Sequence, residues 1–345
     1  MDYPELTVPR EPFIPRLIVA DLGHGDRIID RDDNPDLWAE AVAADIPIVT
    51  HQDIDGPTSS NSMPYMVAQM FRVLDVKPGH NVLGIGTGTG WDSALLADRV
   101  GVENVTTVDV DREVAATARQ NLADAGWSGV HVYCADGAAG WLPRAPYDRL
   151  LASCSVREIP YQWVQQTHGL IVTPWGHGLS NGGLLRLESD GVTASGRVVD
   201  EASFMWLRAH RPAGWSAPAT FTQSESALDP LAVFGSTAVL FAIGHRVPGV
   251  EYVTVRDGGA YVSAIHISDG TSIAEVDTAE GASSFSVRQS GPRHLWDEIE
   301  TAYAWWTSIG KPEKTDFGLT VMASGQRVWL HSPDNIIDGR AVPDE

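Results

Sequence analysis

Apolar positions three or four residues apart mark the first helices. Met66, Val67, Met70, Phe71 and Leu74 recur at this spacing after Pro64, which predicts a helix with one buried face that Pro78-Gly79 ends. Leu37, Trp38, Ala41 and Val42 predict a shorter one over residues 34–44, opening on Asn-Pro. Apolar runs then alternate with helical patterns. Strands are expected at 81–85, 105–110, 130–134, 149–152 and 169–173, with helices carrying Ala94, Leu95, Leu96, Ala97 and Val100 and, later, spanning 112–125. That alternation predicts a parallel α/β sheet. Residues 184–188 and 196–207 read as an antiparallel addition to it.

The texture changes after Trp215. Residues 228–243 are apolar throughout and fit either a helix or strands. Short strand-like runs follow at 252–255, 261–267, 272–276 and 285–287, broken by Asp257-Gly258-Gly259, Asp269-Gly270 and Glu280-Gly281. A helix is expected over 293–309, with Leu295, Trp296, Ile299, Ala302, Tyr303 and Trp306 near one face, and a last strand pair around Gly325. The chain therefore divides into an α/β unit over 1–215 and a smaller α+β unit over 216–345. The first 55 residues are Pro- and Asp-rich and weakly periodic.

Of the 345 residues, 43% are hydrophobic, enough for a sizeable core. The formal net charge of −21 argues against nucleic acid or an anionic membrane as partner, since both are polyanions. The opening segment lacks a basic stretch followed by an apolar one, so a cytoplasmic location is expected, with no membrane partner. Cys134 and Cys154 have no CxxC spacing and read as buried thiols in strands. The eleven histidines form no spaced metal-ligand cluster, and no metal is expected.

The chemistry concentrates where a strand meets a helix through Gly86-Thr87-Gly88-Thr89-Gly90. A strand, glycine turn and helix bring backbone N–H groups toward a ligand. The turn reads GxGxG rather than the dinucleotide GxGxxG, and no lysine follows as a P-loop requires. Asp109 lies 23 positions after Gly86, at the end of the next strand, where a carboxylate can accept from ribose hydroxyls. This is the pattern of methyltransferases that use S-adenosyl-L-methionine.

Several segments in order then resemble the protein-L-isoaspartate O-methyltransferase family: VPREPFIP at 8–15, SMPYMVA at 62–68, VLGIGTGTGWDSALL at 82–96, ADG at 135–137, APYD at 145–148, and the stretch from Ile159-Pro160 to Pro174. The resemblance implies a class I methyltransferase fold, a Rossmann-like doubly wound sheet, with the smaller C-terminal unit appended. It assigns Gly86, Thr87, Gly88, Gly90, Asp109, Val110, Asp136 and Gly137 to the cofactor, S-adenosyl-L-methionine, with S-adenosyl-L-homocysteine as product. Ser62 takes the place of the family's active-site serine, with Ser59 and Ser60 as candidate helpers. Other readings stay open: Ser62 as a helix cap, Ser59 and Ser60 as loop residues, Asp136 as an Asp-Gly turn. His51, close to these serines, is either a substrate contact or a loop residue. In one departure, Gly84 stands where the family usually has an acid that organises the cofactor's amino-acid end.

Phe204-Met205-Trp206-Leu207-Arg208 and Phe317-Gly318-Leu319-Thr320-Val321 resemble the longer actinobacterial-type members, which act on ribosomally made peptides such as graspetides, lasso peptides and lanthipeptides. The expectation is esterification of an aspartate side chain in such a peptide, macrocyclised beforehand, with collapse of the ester to an aspartimide. The first rival is repair of isoaspartate in damaged proteins. The second is a protein that binds the cofactor without turnover. Oligomeric state is open, with a monomer as the default.

Overall fold

The computed structural model describes residues 3–54, 56–211, 214–215, 220–256 and 261–337. The N-terminal segment folds into β1 (Leu17–Asp21), β2 (Asp26–Asp30), α1 (Pro35–Ala43), β3 (Ile48–Asp53) and β4 (Gly56–Asn61). Its strands form an antiparallel sheet in the order β2-β1-β3-β4 over a small core of Ile14, Ile18, Ile29, Trp38 and Ile48. The Asn34 side chain accepts from the Leu37 N–H, so the Asn-Pro start of α1 is a true cap. Helix α2 (Pro64–Leu74) buries Val67, Ala68, Met70, Phe71 and Leu74, the stripe its spacing predicts.

The α/β core follows: β5 (Val82–Ile85), α3 (Trp91–Val100), β6 (Val105–Asp109), α4 (Arg112–Asp124), β7 (His131–Cys134), β8 (Tyr147–Ala152), α5 (Tyr161–Gln166), β9 (Thr167–His177), β10 (Ser180–Asp190) and β11 (Ala194–Glu201). Strands β5 to β9 pair in parallel, and β9, β10 and β11 pair antiparallel, as the sequence led us to expect. The ambiguous apolar run resolves into two short helices, α6 (Pro230–Phe234) and α7 (Thr237–Gly244), preceded by β12 (Thr222–Ser226). β13 (Glu251–Arg256), β14 (Val262–Ser268), β15 (Ile273–Asp277) and β16 (Phe285–Ser290) complete a second antiparallel sheet with β12. Helix α8 (Leu295–Ser308) buries Leu295, Trp296, Ile299, Ala302 and Trp306. The Asp257-Gly258-Gly259 turn lies outside the described residues.

The last two strands, β17 (Phe317–Met322) and β18 (Gly325–Leu330), lie far beyond residue 215 yet join the sheet of the α/β unit. β17 pairs with β11, so the central sheet has nine strands in the order β18-β17-β11-β10-β9-β8-β5-β6-β7. One hydrophobic core runs from Leu185 and Val198 of this sheet to Phe241, Trp296 and Phe317. The cysteines depart from expectation. Cys134 is exposed at the end of β7, and Cys154 lies half-buried beyond β8. No helix among the described residues is long and apolar enough to cross a membrane.

Candidate functional site

β5 ends at Ile85 and the chain turns through 86–90 into α3. Gly88 has φ +53°, and an added Cβ would lie 3.5 Å from the Ser60 carbonyl and 3.6 Å from Ser59 Oγ. The glycine turn thus lies directly against β4, the strand that carries the serines. Buried Arg10 ties this strand down. Its guanidinium donates to Asn61 Oδ1 and to the carbonyls of Ile46 (2.9 Å), Asn61 (3.0 Å) and Ser62 (3.0 Å). Asn61 Nδ2 in turn donates to Thr89 Oγ1 at 2.9 Å, locking strand to turn. Burial pulls the Arg10 guanidinium down to about 10, with Asp92 and Asp45 opposing that fall.

The turn and strand open into a narrow pocket. It brings together Ser59, Ser60, Ser62, Gly86, Thr87, Gly88, Asp109, Val110 and Gly137. Its remaining wall includes Ile85, Val108, Asp92, Ser153, Cys154 and the segment Met205–Arg208. That segment is held by Ser155, whose N–H donates to the Met205 carbonyl and whose own carbonyl accepts from the Leu207 N–H, both at 2.8 Å. Asp109 Oδ2 accepts from the Gly88 N–H at 3.1 Å and Oδ1 from the Asp111 N–H at 3.0 Å, while burial raises its carboxyl above the ordinary value. Asp111 caps α4 through the N–H groups of Glu113 and Val114.

Two residues assigned to the cofactor lie outside the pocket lining. Gly90, at φ +95°, is required by packing: an added Cβ would come within 3.1 Å of Leu122 Cγ on α4. Asp136 is exposed, and its Oδ1 accepts from the Ala138 N–H at 3.0 Å, the Asp-Gly turn reading. The serines change status in the other direction. Ser59 and Ser60 stand on β4 rather than in a loop. The N-cap of α2 is Met63, without a side-chain bond, so Ser62 does not cap the helix. His51 lies on β3, its Nδ1 2.5 Å from Thr58 Oγ1.

A second cavity, of about 730 Å³, adjoins the first. Pro47, Val49, Met63, Met66 and Phe204 give it an apolar wall, and Thr237, Leu240, Tyr252 and Lys314 come to it from beyond residue 215. Lys314 is buried, its Nζ 3.0 Å from Glu201 Oε1. Four residues line both spaces: Ser60, Ser62, Ser153 and Met205. A cavity of this size takes a small ligand or a few side chains. The narrower pocket, with acids, hydroxyls and turned backbone among apolar side chains, suits a cationic ligand bearing hydroxyls.

Sequence reading missed Arg10, Asp92, Ser153 and Lys314. Arg10 and Asp92 fall inside segments that carried the resemblance, which marks the stretch but not the role. Nothing local in the sequence points to Lys314.

The family model for protein-L-isoaspartate(D-aspartate) O-methyltransferase matches residues 28–202. A Pyrococcus horikoshii protein-L-isoaspartate O-methyltransferase is 40% identical over 117 residues, 33% of this chain and 53% of its own length. One from Ignicoccus hospitalis is 32% identical over 172 residues, 49% of this chain and 70% of its own. The chain thus spans about half the length of the first of these relatives. A solved protein-L-isoaspartate O-methyltransferase structure superposes with TM-score 0.53 at 20% identity, covering 94% of this chain and 93% of the other, a likeness of fold.

Proposed function

The chain belongs to the protein-L-isoaspartate(D-aspartate) O-methyltransferase family, and from that premise we propose that it moves a methyl group from S-adenosyl-L-methionine to a side-chain carboxylate of a peptide. The observation that carries this is the meeting of the two cavities at Ser60, Ser62, Ser153 and Met205. A methyl donor in the narrow pocket and a carboxylate in the apolar one would face each other across these residues.

When bound, the cofactor supplies an electrophilic methyl group on a positive sulfur. Its methyl would pass to an acceptor carboxylate oxygen held beside Ser60 and Ser62, the C–O bond forming as the C–S bond broke and that bond's electron pair remaining on sulfur. No proton moves, because a carboxylate with a pKa near ~3.9 is already ionised at neutral pH. The residues therefore need only hold an oxygen in line and exclude water. Ser62 suits the holding role: its hydroxyl makes no hydrogen bond among the described residues and borders both cavities. Arg10 sets its position by fixing the carbonyls of Asn61 and Ser62. The glycine turn, Thr87, Asp109, Val110 and Gly137 would surround the cofactor.

The finer reading is an aspartate in a ribosomally made, macrocyclised peptide, with the ester closing to an aspartimide. Methoxide is a better leaving group than oxide, and attack by the neighbouring backbone nitrogen is intramolecular. The C-terminal wall of the acceptor cavity supports this reading, since a general repair enzyme has to admit many sequences. The relatives' names favour the alternative, isoaspartyl repair. A side-by-side assay of a cyclised aspartyl peptide, its linear precursor and an isoaspartyl peptide separates the two. Preference for the cyclised peptide, followed by methanol loss, supports tailoring. Efficient methylation of the isoaspartyl peptide alone leaves repair. Cofactor binding without a methylated product in any arm identifies a non-catalytic binder.

A further inference from the structure

We propose that the Asp92 carboxylate receives the α-ammonium group of the cofactor's amino-acid portion. This rests on the cofactor reading above.

Two acids line the narrow pocket, Asp92 and Asp109. Asp109 already accepts from two backbone N–H groups. Asp92, in the first turn of α3, accepts no hydrogen bond from any described residue. The nearest cation acting on it is Arg10, whose Nε, Nη1 and Nη2 are all committed to Asn61, Ser62, Ala44 and Ile46 and make no ion pair with Asp92 among the described residues. Burial pushes the Asp92 carboxyl up to about 6. A carboxylate held this way gains most from a cation brought by a ligand.

The cofactor offers two positive centres, and the geometry separates them. The sulfonium has to reach the junction at Ser60 and Ser62 to meet the acceptor, whereas Asp92 borders only the narrow pocket. A sulfonium donates no N–H, and an ammonium donates three, matching the unused carboxylate oxygens. Strand β5 supplies no competing acid. At Gly84 an added Cβ would lie 3.0 Å from Thr107 Oγ1, and that hydroxyl is 2.9 Å from Thr87 Oγ1.

The test is calorimetric titration of the full chain and of Asp92→Asn with three ligands: S-adenosyl-L-homocysteine, its analogue lacking only the α-amino group, and S-adenosyl-L-methionine. A hydrogen bond to a charged group corresponds to a loss of about ten- to a hundredfold in affinity. The wild type should prefer S-adenosyl-L-homocysteine over the deaminated analogue by about that factor, and Asp92→Asn should abolish the preference. Equal weakening of both ligands by the substitution, or no weakening, overturns the proposal. Weakening of S-adenosyl-L-methionine alone would assign Asp92 to the sulfonium and overturn it too. If Asp92→Asn fails to fold, the wild-type preference between the first two ligands decides. A wild type that binds none of the three defeats the cofactor reading itself, a result distinct from all of these.

Discussion

Ser62 carries a hydroxyl that the fold leaves without a partner among the described residues, while its backbone carbonyl is held by Arg10 at 3.0 Å. Ser62→Ala should therefore leave stability and cofactor affinity nearly unchanged and slow turnover by about ten- to a hundredfold, the loss of one donor to a charged acceptor. Wild-type kcat in that variant would remove Ser62 from the chemistry. Arg10→Leu acts on the same strand from the other side. It strips donors from the carbonyls of Ile46, Asn61 and Ser62, and unpaired buried groups of this kind destabilise by about 3 kcal/mol. A urea titration should show the midpoint fall, with turnover falling alongside. Gly88→Val places a branched side chain at φ +53° beside Ser60, a left-handed conformation costing about 1–2 kcal/mol and a direct intrusion toward the pocket. Calorimetry should find cofactor binding lost in a folded protein; unchanged affinity would put the cofactor elsewhere.

Among the elements, those with strong local periodicity were readable in advance: α2, α3, α4, α8 and the parallel strands all follow their apolar spacing. β4 was not, because its sequence GPTSSN has no apolar alternation. It is a strand because the neighbouring β3 pairs with it and because Arg10 and Thr89, both distant in sequence, satisfy its polar end. The partner of β17 was equally invisible, since a hairpin around Gly325 looks the same whichever sheet it joins. Between β9 and α7 sits a feature with a measurable consequence. His177 and His245 lie edge to face at 4.9 Å, and burial lowers His177 to about 4 and His245 well below its ordinary value. Both folded values fall below the unfolded value of about 6.5, so the unfolded chain takes up protons first as pH falls. The stability from this pair is complete above about pH 6.5 and is lost as pH drops toward 4, on the order of 3 kcal/mol for His177. Thermal melts across this range should show the decline, and His245→Leu should remove only the share that His245 contributes, leaving that of His177. An unaltered pH profile would mean the pair is solvated.

For the molecule as a whole, the C-terminal third is part of one body with the α/β core. A chain cut after residue 215 loses β17 from the edge of β11 and exposes Leu185 and Val198, which share one core with the removed Phe241 and Phe317. We expect that fragment to aggregate. The influence of this region on the acceptor is better read from Thr237→Trp at the exposed rim of the larger cavity. Peptide KM should rise about tenfold, a loss of one good contact, while cofactor affinity holds. Equal KM values would detach the C-terminal wall from substrate choice. Methyl transfer to a carboxylate at the junction of the two cavities has a direct chemical signature. The protein should be incubated with methyl-labelled S-adenosyl-L-methionine and the three peptides, and the label then followed through mild alkali. Carboxyl esterification predicts a peptide heavier by one CH₂ whose label leaves as methanol under alkali, with the yield sharply reduced in Ser62→Ala. Label that stays on the peptide through alkali, or that never reaches any peptide, would contradict it.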